Sequence, residues 1–180
     1  MPITRDSVRS YYDQNTNLFL KFRRRNARKA ENIHRSLWTD GAQTLDEALN
    51  VSNARILKEI ESVVCTHARC ADLGCGVGAS LFYIYPYLNE PAPVLGLTLS
   101  PVQAKLAQES AKQLGLQDRI LFVEGDFTSV PLANNLDAVY SVEAIVHAMQ
   151  PEKYFLEASR LLHKGGKLIL VDDFNAASII

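Results

Sequence analysis

The stretch Arg69–Ser80, R-C-A-D-L-G-C-G-V-G-A-S, constrains this chain more than any other. Cys70, Ala71 and Leu73 suit the end of a short parallel strand. Gly74, Gly76 and Gly78 then allow a tight turn whose backbone can press against a ligand with no Cβ atoms in the way. Gly74, Gly76 and Ala79 also satisfy the G-x-G-x-x-G/A pattern of dinucleotide sites, so the glycines alone leave a nicotinamide cofactor open.

Neighbouring residues separate the choices. Asp72, two residues before the first glycine, suits the cationic amino group of a methionine moiety, as in S-adenosylmethionine, and would repel a pyrophosphate. A dinucleotide site also calls for an acid about 20 residues past its glycines, at the end of the second strand, for the ribose hydroxyls. The candidate strand Val94–Thr98 ends instead in Thr98, and Glu90 lies at its wrong end. A nicotinamide dehydrogenase is therefore disfavoured.

The chain has 180 residues, 47% of them apolar, enough for one domain with a sizeable core. Its 19 Lys+Arg against 20 Asp+Glu give no whole-protein field for nucleic acid or a membrane surface, so small-molecule partners are expected. No apolar run reaches the length of a membrane span, and M-P-I-T-R-D is too polar for a secretory signal, which predicts a cytoplasmic protein. Cys65, Cys70 and Cys75 match neither a disulfide framework nor zinc-ligand spacing, so they read as reduced, packed thiols with no metal.

Strand and helix patterns alternate along the chain, predicting an α/β fold: a doubly wound parallel sheet behind an N-terminal helical arm. We place the arm at 1–43 and the ligand-binding domain at 44–180. Thr44 with Glu47 makes a capping box before the periodic run Leu45, Leu49, Ile56, Leu57, Ile60 and Val64. A helix from about Gly78 should end or kink at Pro86. Ser100-Pro101 opens another helix after Val94–Thr98, and Gly115 closes it. Strands follow at Ile120–Glu124 and Leu136–Ser141, a helix starts at Pro151, and Gly165-Gly166 turns it into a final strand, Lys167–Asp172. That strand would be a long apolar sheet edge, which natural proteins normally cover.

These residues resemble the class I S-adenosylmethionine-dependent methyltransferases, and in detail the tocopherol, sterol and cyclopropane-fatty-acid type that act on small molecules. The likeness rests on S-Y-Y-D at Ser10–Asp13, the glycine loop, G-L-T-L-S-P-V-Q at Gly96–Gln103 and S-V-E-A-I-V-H at Ser141–His147. It implies a Rossmann-like sheet whose first five strands are present and whose usual C-terminal hairpin is missing, and with it a chain that is incomplete or that self-associates through its last strand.

Carried over residue by residue, the resemblance gives Asp72, Gly74 and Gly76 the methionine end of S-adenosylmethionine, with amides at the following helix start for its carboxylate. It gives Thr98, Leu99 and Gln103 the ribose and adenine, Asp126 the exocyclic amine, and Phe127 the ring face. Gln103 could instead complete a capping box with Ser100, and Asp126 could be a solvated turn residue. Tyr12 resembles an aromatic that closes over the cofactor, where a cation–π contact with a sulfonium contributes about 0.5–2 kcal/mol. It reads equally as a core tyrosine beside Val8, Leu18 and Phe19. Glu143 and His147 would share one face if their segment is helical, with His147 as base and Glu143 orienting it or balancing developing charge. The basic tract Lys21–Lys29 is either a phosphate site or a solvated face.

The expected function is methylation of a small, apolar or prenyl-like acceptor, at carbon. The alternative is a non-catalytic S-adenosylmethionine-binding module that needs a partner or a further segment.

Overall fold

The computed structural model describes residues 4–26, 32–63, 67–89, 92–132 and 135–174. Helix α1 (Arg5–Asn26) precedes α2 (Leu45–Glu61), and the strands that follow are β1 (Cys70–Leu73), β2 (Val94–Thr98), β3 (Ile120–Glu124), β4 (Leu136–Val142) and β5 (Leu162–Val171). Between them lie α3 (Ala79–Ile84), α4 (Pro101–Gln113) and α5 (Pro151–Leu161). The sheet is parallel throughout, in the order β3-β2-β1-β4-β5. Order reverses at β1, so the crevice beyond its carboxyl end, where the glycine loop emerges, is the place for a ligand.

Alternation along each strand divides the core. Cys70, Val94, Ile120, Phe122, Ala138 and Tyr140 pack beneath Ile56 and Ile60 of α2, Leu81 and Ile84 of α3, and Ala107 and Ala111 of α4. Ala71, Leu73, Leu95, Leu97 and Val139 face the other way, onto Tyr154, Ala158 and Leu161 of α5. Both faces are covered, so the β1 and β2 side chains are buried throughout, as a central parallel strand requires. Ser141 ties β4 to α5: its hydroxyl donates to Leu73 O at 2.6 Å and lies 2.6 Å from the Tyr154 hydroxyl. At the opposite end of the strands, Arg69 grips Asp137 through its backbone and its guanidinium (2.8–3.1 Å), and His163 Nε2 lies 3.1 Å from the same carboxylate.

Local punctuation follows the sequence closely. The Thr44–Glu47 capping box forms in both directions, Pro86 falls in a short 3₁₀ turn after α3, and Gly115 adopts φ +70° past the end of α4. The last strand departs from expectation. Chain direction changes at Leu162, directly after α5, and Gly165-Gly166 lies inside β5. The β4–β5 register shifts between Leu136↔Leu162 and Ala138↔Lys167, so the extra residues form a bulge, with Gly165 at φ +95°. Leu18 also departs, being 62% exposed instead of packed with Tyr12. Val64, Cys65 and Glu90 lie outside the described residues, as do the side chains of the basic tract beyond Lys21. Cys70 and Cys75 are buried free thiols. No described helix is long and apolar enough to cross a membrane.

Gly96 in the middle of β2 has no space for a side chain: a Cβ there would lie 2.6 Å from the Phe122 ring and 2.8 Å from Leu81 Cδ1. Gly96→Ala should therefore lose about 1–3 kcal/mol of stability by overpacking, read as a lower denaturant midpoint at unchanged slope. A neutral result would mean that Phe122 and Leu81 can both yield.

Candidate functional site

The loop after β1 is locked before any ligand is considered. The N–H groups of Gly74 and Cys75 both donate to Leu97 O, at 2.8 and 2.9 Å, and Gly125 N donates to Thr98 O at 2.9 Å. The carboxyl ends of β1, β2 and β3 are thus joined around one crevice. Gly74 and Gly78 are glycines for packing as well as turning: Cβ atoms would come within 2.4 Å of Ala144 Cβ and of the Phe122 ring, respectively. Gly76 differs. It has φ +56°, and its missing Cβ points past Ile33 Cδ1 at 3.4 Å toward Gln103 Nε2 at 4.0 Å, on the cavity wall.

That cavity has a volume of about 280 Å³, and Asp72, Gly74, Gly76, Thr98, Leu99, Gln103, Phe127, Glu143, His147 and Tyr12 all line it. Helix α1 closes its outer side with Val8, Tyr11, Tyr12 and Phe19. The helix is held in place by its Asp13, which accepts from Ser100 Oγ, and by Arg9, whose guanidinium lies 3.2 Å from Glu124. Tyr12 is therefore a wall residue and not a core residue.

Two polar side chains aim buried, unpartnered atoms here. Asp72 Oδ1 and Gln103 Nε2 are shielded from solvent with no hydrogen-bond partner, a state that costs free energy unless a ligand completes it. Half of the alternative reading of Gln103 fails. Ser100 does cap α4, accepting from Gln103 N at 3.1 Å, but the Gln103 side chain turns away and takes a hydrogen bond from Thr98 Oγ1 at 2.8 Å. This fixes the amide so that its NH₂ faces the cavity side.

Asp126 stands apart. It lines an adjoining hollow of about 270 Å³, shared with Leu99, Phe127 and His147, instead of the main cavity. Its Oδ1 accepts from Thr128 N and Oγ1, both at 2.8 Å, and its Oδ2 lies 3.5 Å from the Arg5 guanidinium. Phe127 is edge-on to Tyr154, with centroids 5.2 Å apart.

On the far wall, Glu143 and His147 do not share a helical face. Strand β4 ends at Val142, Glu143 takes a left-handed φ of +49°, and only a 3₁₀ turn spans Ile145–His147. Ala144 packs directly on Gly74, where a Cβ would lie 2.4 Å from Ala144 Cβ. Glu143 faces Arg35, accepting its backbone N–H at 2.9 Å. The partner of His147 is Tyr12, whose hydroxyl lies 2.8 Å from Nε2, the rings being edge-on. Burial holds the Tyr12 phenol up at about 12 and pushes the His147 imidazole down, against a smaller upward pull from Asp172.

Sequence reading missed the Tyr12–His147 pair, the Arg35 partner of Glu143 and the role of Tyr140, which sits opposite Asp72 in the β1–β4 register. No linear signal marks any of them, because each contact joins segments far apart in the chain.

A family model described as a methyltransferase domain matches residues 71–170. A sterol 24-C-methyltransferase of Gibberella zeae is 41% identical over 96 residues, 53% of this chain and 25% of that protein. An erythromycin 3''-O-methyltransferase of Saccharopolyspora erythraea is 32% identical over 141 residues, 78% of this chain and 45% of that protein. The chain thus spans less than half the length of either relative. The crystal structure of the [4+2]-cyclase SpnF superimposes with a TM-score of 0.76 at 25% identity, covering 92% of this chain and 59% of that one.

The depressed His147 basicity is directly measurable. Imidazole resonances followed by NMR should titrate His147 below the ordinary value of about 6.5, leaving it neutral at pH 7. A midpoint above that value would mean that a carboxylate, with Asp172 foremost, outweighs burial.

Proposed function

Because the chain belongs to the methyltransferase-domain family of S-adenosylmethionine-dependent enzymes, whose model spans residues 71–170, we propose that it methylates a small, apolar acceptor at carbon. The observation that carries the reading is the pair of buried, unpartnered polar atoms, Asp72 Oδ1 and Gln103 Nε2, on two residues that line one cavity with Gly76. An acceptor oxygen suits an ammonium group, and an amide donor suits a ribose hydroxyl or ring nitrogen, so the residues fit the cofactor. When bound, it supplies an electrophilic methyl group.

The residues divide the work. Asp72 would hold the amino group and the Gly76 backbone the methionine chain. Thr98 fixes the Gln103 amide, Leu99 and Phe127 would hold the adenine ring, and Asp126 would serve as an acceptor for it through the oxygen nearest Arg5. Residues 1–43 act as an arm over the site carried by 44–180. Closure by α1 excludes water and confines the acceptor, an effect worth much of the barrier in a displacement that needs alignment above all. His147, kept neutral by burial, takes the proton that the acceptor sheds as its new bond forms. Tyr12 sets the angle of the His147 ring, and Glu143, turned to Arg35, shapes the acceptor side without touching His147.

An apolar acceptor is supported by Val8, Tyr11, Phe19 and Val142 on the wall near His147. Carbon is supported by the sterol 24-C-methyltransferase being the more identical of the two relatives, although the other methylates oxygen by name. We also propose that β5, the sheet edge, pairs with a second copy. Sedimentation should then show association that rises with concentration, and a monomer at every concentration would refute it.

Calorimetry with S-adenosylhomocysteine and transfer from methyl-labelled donor test the main reading. Binding without transfer to any acceptor would favour the non-catalytic module, and heat with NAD alone would overturn the assignment. His147→Ala should lower kcat about 100- to 10,000-fold with little change in cofactor affinity. In the parent protein kcat should fall as pH drops through the His147 value, since the base form is lost there, and the variant should lack that limb. A loss below about threefold would return His147 to a wall residue.

A further inference from the structure

Asp72 presents a problem that cofactor binding alone does not resolve. Its side chain points, with Cys70 and Tyr140, toward the face covered by α2, α3 and α4, and it is only 2% exposed. No hydrogen bond reaches Oδ1, and no Lys or Arg lines the cavity among the described residues. The titratable groups coupled to it are Cys75 in the glycine loop, Tyr140 on β4 and, across the sheet, Tyr154 on α5, with Cys70 two residues back on its own face of β1. All four are held neutral by burial, Cys70 and Tyr154 at about 12 and the other two well above their ordinary values. The Tyr140 hydroxyl, also without a partner at normal geometry, lies against the Asp72 carboxyl from the neighbouring strand.

A carboxylate in such a place has nothing to balance it until a cation arrives. We propose that Asp72 stands as the neutral acid in the ligand-free protein and releases one proton to solvent when a ligand's ammonium group docks on it, with Tyr140 as the positioning residue of the carboxyl. The proposal rests on the cofactor reading above and deepens it: the aminocarboxyl arm of the ligand sets the charge of its own anchor. In the released state the O–H bond of the acid is broken, its proton passes to buffer, and the carboxylate pairs with the ammonium. Burial pushes the Asp72 carboxyl up to about 8, and the Tyr140 hydroxyl moderates that rise. At neutral pH the acid is therefore mostly protonated before binding. Affinity should rise as pH increases toward 8 and level off beyond it, about tenfold per unit at most, since one proton is lost per ligand.

The experiment is calorimetry of the whole chain with S-adenosylhomocysteine, between pH 6 and 8, in buffers of different ionisation enthalpy. 5′-Methylthioadenosine, which lacks the aminocarboxyl arm, is the control. We expect a buffer-dependent enthalpy corresponding to release of between half and one proton at pH 7 with the first ligand and none with the second. Asp72→Asn should abolish the buffer dependence and weaken S-adenosylhomocysteine at least tenfold, while raising the melting temperature of the ligand-free protein at pH 8, because the cost of a buried charge is gone. Tyr140→Phe should keep the proton release but move the pH midpoint of affinity upward. Binding of S-adenosylhomocysteine with a buffer-independent enthalpy would overturn this inference and leave the cofactor reading intact. Failure of both ligands to bind would overturn the cofactor reading itself.

Discussion

The carbonyl of Leu97 accepts hydrogen bonds from the two successive N–H groups of Gly74 and Cys75, and the site is organised around that contact. It stops β1 at Leu73 and forces the chain into a left-handed turn at Gly74, φ +99°, a conformation that a residue with a Cβ adopts only at a cost. The bare face of Gly74 is then covered by Ala144, the residue that carries the chain out of β4. One backbone contact between β1 and β2 thereby sets the position of the segment that holds Glu143 and His147. The wall that carries Asp72 and the wall that carries His147 are mechanically one piece.

Electrostatics divides the cavity in the same way. The end near β1 offers oxygen acceptors and, among the described residues, no Lys or Arg, which suits a positively charged ligand. The end near His147 is closed by aromatic rings from α1, and burial there lowers the basicity of the imidazole. Of the carboxylates on that side, Glu143 is turned outward to Arg35, which also pairs with Asp173, and Asp172 accepts from Val146 N–H. The buried polar atoms without partners thus gather at the β1 end, where burial strengthens any interaction they make.

Much of this was legible before the fold was known. Ser100-Pro101, Pro151 and the Thr44–Glu47 pair mark helix starts because caps and prolines act within one turn of the chain. Strands β2 and β3 run over the residues expected because continuous apolar runs between such signals leave few alternatives. Asp72 and Gly76 were legible as candidates for the site, and both line the cavity, since an acid and a positive-φ glycine in a strand-to-helix turn serve few purposes besides binding. The β5 bulge was not, because Gly165-Gly166 signals a turn equally well whether it precedes a strand or interrupts one. Asp126 was legible as a turn acid, but its commitment to Thr128 on one side and Arg5 on the other depends on where α1 lies.

What the sequence by itself determined is everything whose cause lies within a few residues: element boundaries, the glycine turn, the buried acid, the apolar faces and hence the parallel two-faced sheet. Tertiary structure alone decided which side chains meet. Tyr12 finds His147 because α1 is pinned to α4 and β3 through Asp13 and Arg9, and Glu143, at a left-handed φ past the end of β4, meets Arg35 instead of His147. Tyr140 meets Asp72 through strand register. These pairings are set by tertiary packing and by the order of strands in the sheet, which no local propensity encodes.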